Sequence, residues 1–246
     1  MAFDTALWDP GQGFDLLGWH ISISNEALMS GDWSKGPAGT GESNWLTSLA
    51  GNPKLAQGLL AESYEVPDNQ HVIFHIRKGI KWWNKAPANG REFTADDVVW
   101  NLKQQWSIPA GNFQNFFTKD EWLTDAKALD KYTVQITVPP NSQGIHWWED
   151  GQRAYMMLPE LFPKQSDWHN QLGTGPFMVT DYVSGSSLTF KRNPNYWQTN
   201  PVGPGKGDQQ ESLFHSHGMT YFVEAAPAVT AFSGTSTTTD RALSEK

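Results

Sequence analysis

His215 and His217 carry the one metal-like spacing in the chain. Residues i and i+2 of an extended strand share a face, so both imidazoles would point to one side there. With a third donor such as Asp208, Glu211 or His169 they would hold Zn, Ni or Cu. The same pair is also common by chance in a stretch as rich in Gly, Pro and Gln as this one. His71 and His75 share a face of an alternating segment and read as packing residues. Arg153 can grip a carboxylate through two parallel N–H bonds, or pair with Glu149 or Asp150 close by in sequence. Asp96 and Asp97 form a carboxylate pair, but they follow Thr94, where helix capping accounts for them. The absence of Cys removes disulfides, thiolate metal sites and Cys nucleophiles together. Gly185-Ser186-Ser187 is not a Gly-x-Ser-x-Gly nucleophile elbow. Gly203, Gly205 and Gly207 with Lys206 lack the strand before and helix after that a phosphate loop requires. No catalytic motif survives, and the set of catalytic residues read from the sequence is empty.

The elements that must position these residues are short. Residues 1–60 read as loop-rich, broken by Asp9-Pro10-Gly11, Gly36-Pro37-Ala38-Gly39 and Gly51-Asn52-Pro53, with one short helix expected near Ile21–Ser30. Tyr64 and Val66, then His71–Ile76, alternate around Pro67-Asp68-Asn69-Gln70 and predict a hairpin. Thr94, with Asp97 three residues later, predicts a capped helix over 95–106 whose apolar positions are Val98, Val99, Leu102 and Trp106. Tyr132–Val138 alternate as a strand that Pro139-Pro140 stops. A short helix is expected over Arg153–Leu158, before Pro159. Phe177–Tyr182 and Ser187–Arg192 predict a second hairpin, opened by Gly173-Thr174-Gly175-Pro176. One more strand is expected at Met219–Val223, ahead of a low-complexity polar tail from Ser233.

Composition narrows the partners. The 246 residues carry a formal charge of -8, which disfavours a nucleic-acid binder because such proteins usually show a basic stripe. No run of about eighteen apolar residues suits a membrane-spanning helix. Thirteen Trp and thirteen Phe stand beside 22 Gly and 15 Pro, a composition of aromatic platforms set among turns. Tryptophan loses little rotamer entropy on ordering and offers an apolar face with one N–H donor, which suits binding as well as core packing. The start, Met1-Ala2-Phe3-Asp4, lacks a basic and then apolar leader, so the chain reads as cytosolic or as one whose secretory signal has been removed.

Three segments in order resemble the family 5 extracellular solute-binding proteins, the dipeptide, oligopeptide and nickel receptors of ABC importers. They are Leu60–Val66 with Phe74–Trp82, then Phe93–Trp100, then Gly173–Phe177 with Phe190–Trp197, which contains Arg192-Asn193-Pro194-Asn195-Tyr196-Trp197. The last pair reads physically as scaffold: Pro194 cannot continue a ladder, Tyr196 and Trp197 can fold back as anchors, and Gly173 and Gly175 admit backbone shapes closed to other residues.

The resemblance implies an α+β (mixed α/β) fold, the first lobe of a periplasmic-binding-protein-like clamshell, with mixed sheet, β-hairpins and short helices. It places residues 1–218 in that lobe and 219–246 in a cut-off hinge strand and tail, so that half of the pocket is missing. It implies a peptide-like small-molecule ligand, an importer permease as partner, and a periplasmic or extracellular location. Asn25, Glu26, Phe113, Asn115, Phe116, Trp147, Trp148 and Arg153 are implied to line the ligand side, Phe113 and Phe116 as exposed platforms in a Gly/Asn loop. The resemblance implies no cofactor; the spacing of His215 and His217 leaves a divalent metal open. Two alternatives stay open: a hydrolase on the exposed half-pocket, assisted by those histidines, and a homo-oligomer that buries the half-cleft.

Overall fold

The computed structural model describes Trp8 and residues 21–36, 40–42, 52–109, 111–164, 166–184 and 187–199, and the backbone of 221–225 and 228–232. Strand β1 (Met29–Gly31) pairs antiparallel with β2 (Ala56–Gly58). Strands β3 (Ala61–Glu65), β4 (His71–Ile76), β5 (Asp125–Asp130) and β6 (Thr133–Thr137) form an antiparallel sheet in the order β3-β4-β6-β5. A second sheet runs β7 (Phe177–Val183), β8 (Ser187–Arg192), β9 (Tyr221–Ala225), β10 (Ala228–Phe232), and its β8–β9 pair is parallel. The helices are α1 (Ile21–Ser24), α2 (Ala95–Ser107), α3 (Asn112–Phe116) and α4 (Gln143–Gln152). This is the α+β class expected.

Alternation drives the first sheet. Val72, Phe74 and Ile76 of β4 and Val134 and Ile136 of β6 point to one face and are buried, each stabilising the fold by about 1.5–3 kcal/mol. Onto that face α2 lays Ala95, Val98, Leu102 and Trp106. The helix begins at the capping box expected: the Thr94 N–H donates to Asp97 Oδ2 at 3.0 Å. Asp97 is also gripped by both terminal nitrogens of Arg91, at 2.9 and 2.7 Å, so this carboxylate is a structural joint. Gly79 closes the turn after β4 at φ +80°, a conformation that favours glycine. A smaller core gathers Trp8, Ile23, Phe177, Val179, Leu188 and Phe190 under the second sheet.

Two expected helices are corrected. The first ends at Ser24, and the backbone beyond it bonds elsewhere: Leu59 and Ala61 donate to the Leu28 carbonyl, and β1 pairs with β2. The second, over Arg153–Leu158, is not helical. The helix lies one step earlier, as α4, and 154–158 run without regular structure. Leu158 precedes Pro159, which disfavours helical geometry, and the 155–157 backbone is taken up by side chains described below. The strand expected at 219–223 is β9, two residues later, and it continues into β10.

Candidate functional site

Side-chain amides hold the segment after α4. Asn101 of α2 donates through Nδ2 to the Met157 carbonyl and accepts from the Met157 N–H, both at 2.9 Å. Gln105, one turn on, donates to the Tyr155 carbonyl at 3.1 Å. From the opposite side Asn25 Nδ2 donates to the Met156 carbonyl at 2.8 Å, and the Met156 N–H donates to the Glu26 carbonyl at 2.9 Å. Residues 155–157 are thus a strap between α2 and the loop after α1. That loop also receives the second-sheet module: the Gly175 N–H donates to the Ser24 carbonyl at 2.9 Å.

The Gly-Thr-Gly-Pro and Arg-Asn-Pro-Asn-Tyr-Trp segments converge on the same loop. A Cβ on Gly173 would stand 2.0 Å from the Ser24 carbonyl oxygen, and one on Gly175 at 2.7 Å. These glycines serve close backbone approach, and neither has a positive φ. Asn193 donates to the Gly175 carbonyl at 3.2 Å and receives the Asn195 N–H at 3.1 Å. Tyr196 then donates its hydroxyl to Glu26 Oε1 at 2.6 Å, and Trp197 its indole N–H to Oε2 at 3.3 Å. The Arg77 guanidinium lies 5.2 Å over the Trp197 ring. Burial pushes the Glu26 carboxyl above the ordinary carboxylate range, while the bonds from Tyr196 and Trp197 pull it down. Tyr196 and Trp197 therefore act as anchors, and the carboxylate they seek was not visible in the sequence.

Arg153 lies at the C-cap of α4, where the strap starts. Its guanidinium lies 4.9 Å over the ring of Phe116, at the end of α3, and Nη1 donates to Glu149 Oε1 at 2.9 Å. Phe116 is 60% exposed, and Asn115 beside it is exposed. Cation and aromatic ring thus meet at one edge, next to Asn115 in sequence, with the Arg153 side chain 11% exposed in its ion pair with Glu149; the set suits a polar ligand with a carboxylate and an apolar part.

The family model for bacterial extracellular solute-binding proteins, family 5 (middle), matches residues 56–228. The chain belongs to this family. It is 32% identical over 161 residues to the dipeptide-binding protein of Escherichia coli K12, covering 58% of this chain and 30% of that one. It is 29% identical over 158 residues to heme-binding protein A of Haemophilus influenzae, covering 56% and 29%. Among solved structures, a dipeptide-binding protein from Pseudoalteromonas sp. SM9913 in complex with Met-Leu superposes with a TM-score of 0.59 at 20% identity, covering 80% of this chain and 39% of that one. A periplasmic binding protein from A. tumefaciens R10 in complex with mannopinic acid gives 0.60 at 23%, covering 80% and 36%. The chain spans about a third of the length of these curated relatives. The periplasmic-binding-protein fold is shared with these structures.

Against the family-derived expectation, the structure brings Phe116 and Arg153 together, leaves Asn115 exposed beside Phe116, and takes four residues inside. Asn25 and Glu26 are buried at 1% and 4% exposure and join segments of the fold. Phe113, expected as a platform, is 2% exposed and stacks on Trp106 with ring centres 5.1 Å apart. Its loop folds into α3, which turns Phe113 and Phe117 toward α2 and leaves Phe116 outward. Trp147 is buried against Tyr64, with centres 5.3 Å apart. Trp148 is half-buried and, with Trp147, Pro53, Tyr64, Val66 and Ile145, lines a groove of about 560 Å³. His215 and His217 lie outside the described residues. His169, a suggested third donor, is exposed and bonds Asp167 at 2.6 Å. Among the described residues no cluster of three or more His, Cys, Asp or Glu is placed to hold a metal.

Proposed function

We propose that this chain supplies one wall of the ligand site of a family 5 solute-binding protein, capturing a peptide-like small molecule outside the cytoplasm for delivery to an ABC importer permease. The juxtaposition of Arg153, Phe116 and Asn115 carries the reading. A guanidinium meets a ligand carboxylate through paired N–H donors, an exposed ring receives an apolar side chain, and an amide reads a backbone group. Relatives named for dipeptides, and a neighbour holding Met-Leu, fit that ligand class. We place the lobe in residues 1–218, with a hinge strand and a low-complexity tail over 219–246. Capture of this kind needs no cofactor and no covalent chemistry.

Calorimetric titration of the chain with di- and tripeptides, beside the same peptides as C-terminal amides lacking a free carboxylate, tests the reading. Weak peptide binding is expected, because a single wall encloses less ligand surface than a closed cleft. Arg153→Gln should weaken it about tenfold or more, as expected for a hydrogen bond to a charged group. Equal response to peptides and their amides, or an unchanged Arg153→Gln variant, would refute it.

A further inference from the structure

His146 lies in α4, seven residues before Arg153, with a fully buried side chain. Its Nδ1 is 2.7 Å from Asp150 Oδ2 and its Nε2 is 2.8 Å from the Glu121 carbonyl oxygen. The carbonyl can only accept. The carboxylate already accepts the Trp106 indole N–H on Oδ1 at 2.7 Å. A neutral imidazole has one N–H and one lone pair, so beside an ionised Asp150 it would press that lone pair against an oxygen in a fully buried site. Satisfying both contacts needs one proton between Nδ1 and Oδ2 and another on Nε2, and imidazole is the stronger base of the pair.

The contacts join two elements that matter. Glu121 ends the short 3-10 turn Lys119–Glu121 that follows α3, and α4 leads directly to Arg153. Phe117, the residue after Phe116, stacks on the His146 ring with centres 5.2 Å apart and an interplanar angle of 27°. Trp106 of α2 covers the ring from 5.4 Å.

We infer that His146 is a buried imidazolium whose two N–H groups fasten the loop after α3 to α4, and that it is a positioning residue for the Phe116–Arg153 edge. The second half of this statement rests on the ligand reading given above. The charged groups facing the ring are Asp150 and Glu149 of its own helix, and the loop after α3 contributes the Glu121 carbonyl. Burial works against the charge, but the Asp150 bond and charge outweigh it and raise the His146 pKa above its ordinary value. A raised value means that the stabilisation is fully present below the unfolded-state pKa and is lost as pH rises through the folded-state one.

Nitrogen NMR of histidine-labelled protein tests the charge directly. Both ring nitrogens of His146 should carry protons at neutral pH, and the ring should lose its charge only above the ordinary histidine value. A single unprotonated nitrogen at pH 7 would overturn the proposal. His146→Gln can donate from only one atom, so amide exchange over 117–122 should accelerate about tenfold, the scale of one lost hydrogen bond. His146→Lys, which keeps a cation and several donors, should recover part of that protection if the variant folds. Unchanged exchange in the Gln variant would remove the clamp. Exchange reads the clamp without ligand, so a protein that binds no peptide at all would refute the ligand reading and leave the imidazolium standing.

Discussion

Replacing Gly173 by alanine should be one of the most damaging single-methyl additions in this fold. The new Cβ would sit 2.0 Å from the Ser24 carbonyl oxygen, 2.8 Å from its carbon and 3.0 Å from the Asn25 Cα, all of them backbone atoms. Carbon contacts are comfortable only near about 3.5–4.0 Å, so the loop after α1 must retreat by roughly 1.5 Å. Retreat breaks the Gly175–Ser24 bond at 2.9 Å and disturbs the Trp83–Gly173 bond at 3.1 Å. Two backbone bonds at about 0.5–1.5 kcal/mol each, plus overpacking of about 1–3 kcal/mol, give a loss of about 2–6 kcal/mol. Gly144 is the internal control, since a Cβ there meets nothing within 4 Å on a helical backbone. Gly144→Ala should be neutral or stabilising by up to about 1 kcal/mol. Urea unfolding followed by far-ultraviolet circular dichroism gives both values from the midpoint at constant slope. A Gly173→Ala protein within 1 kcal/mol of the parent, on the scale of an ordinary point mutant, would show that the close approach to Ser24 is not what the glycine serves.

Asn101→Leu keeps the branched shape, in a slightly larger side chain, but strips both contacts to Met157, leaving a buried N–H and a carbonyl unpaired, and should cost about 2–4 kcal/mol or more in chemical denaturation. Glu92 is held down to about 2 by the Lys131 bond first, then by the Gly79 N–H and Tyr132. Its contribution is present above the ordinary carboxylate value and lost as pH falls through about 2, so the acid limb of a stability–pH curve should flatten in Glu92→Gln, and an unchanged limb contradicts the assignment. Phe116→Ala should leave thermal stability within about 0.5 kcal/mol, as for an exposed side chain, while weakening peptide binding. If light scattering shows two copies associating, Phe116→Asp should dissociate them; persistence of the assembly would place the contact elsewhere.

The hairpins β3–β4 and β7–β8 and helix α2 were legible because their signals are local: period-two alternation, turn residues and a capping box three residues wide. Helix α4 was not, since Gly144 and Gly151 dilute its propensity and it buries His146, Glu149, Asp150 and Gln152 alongside Trp147. Its inward face is polar, and an apolar stripe was the pattern sought. The edge formed by Phe116 and Arg153 was named residue by residue through family resemblance. Which of the two phenylalanines in the same loop faces outward depended on the α3 turn.

The amino-acid sequence alone determined the class of fold, the family and the segments that would become strands, because neighbouring residues encode those through backbone propensity and periodicity. Tertiary structure decided which polar side chains became buried joints and which stayed near the surface. The Asn25–Met156 bond spans 131 residues and the Tyr196–Glu26 bond 170. A buried carboxylate or imidazole is fixed by whatever partner the folded chain brings within 3 Å, and no local pattern specifies a partner at that distance in sequence.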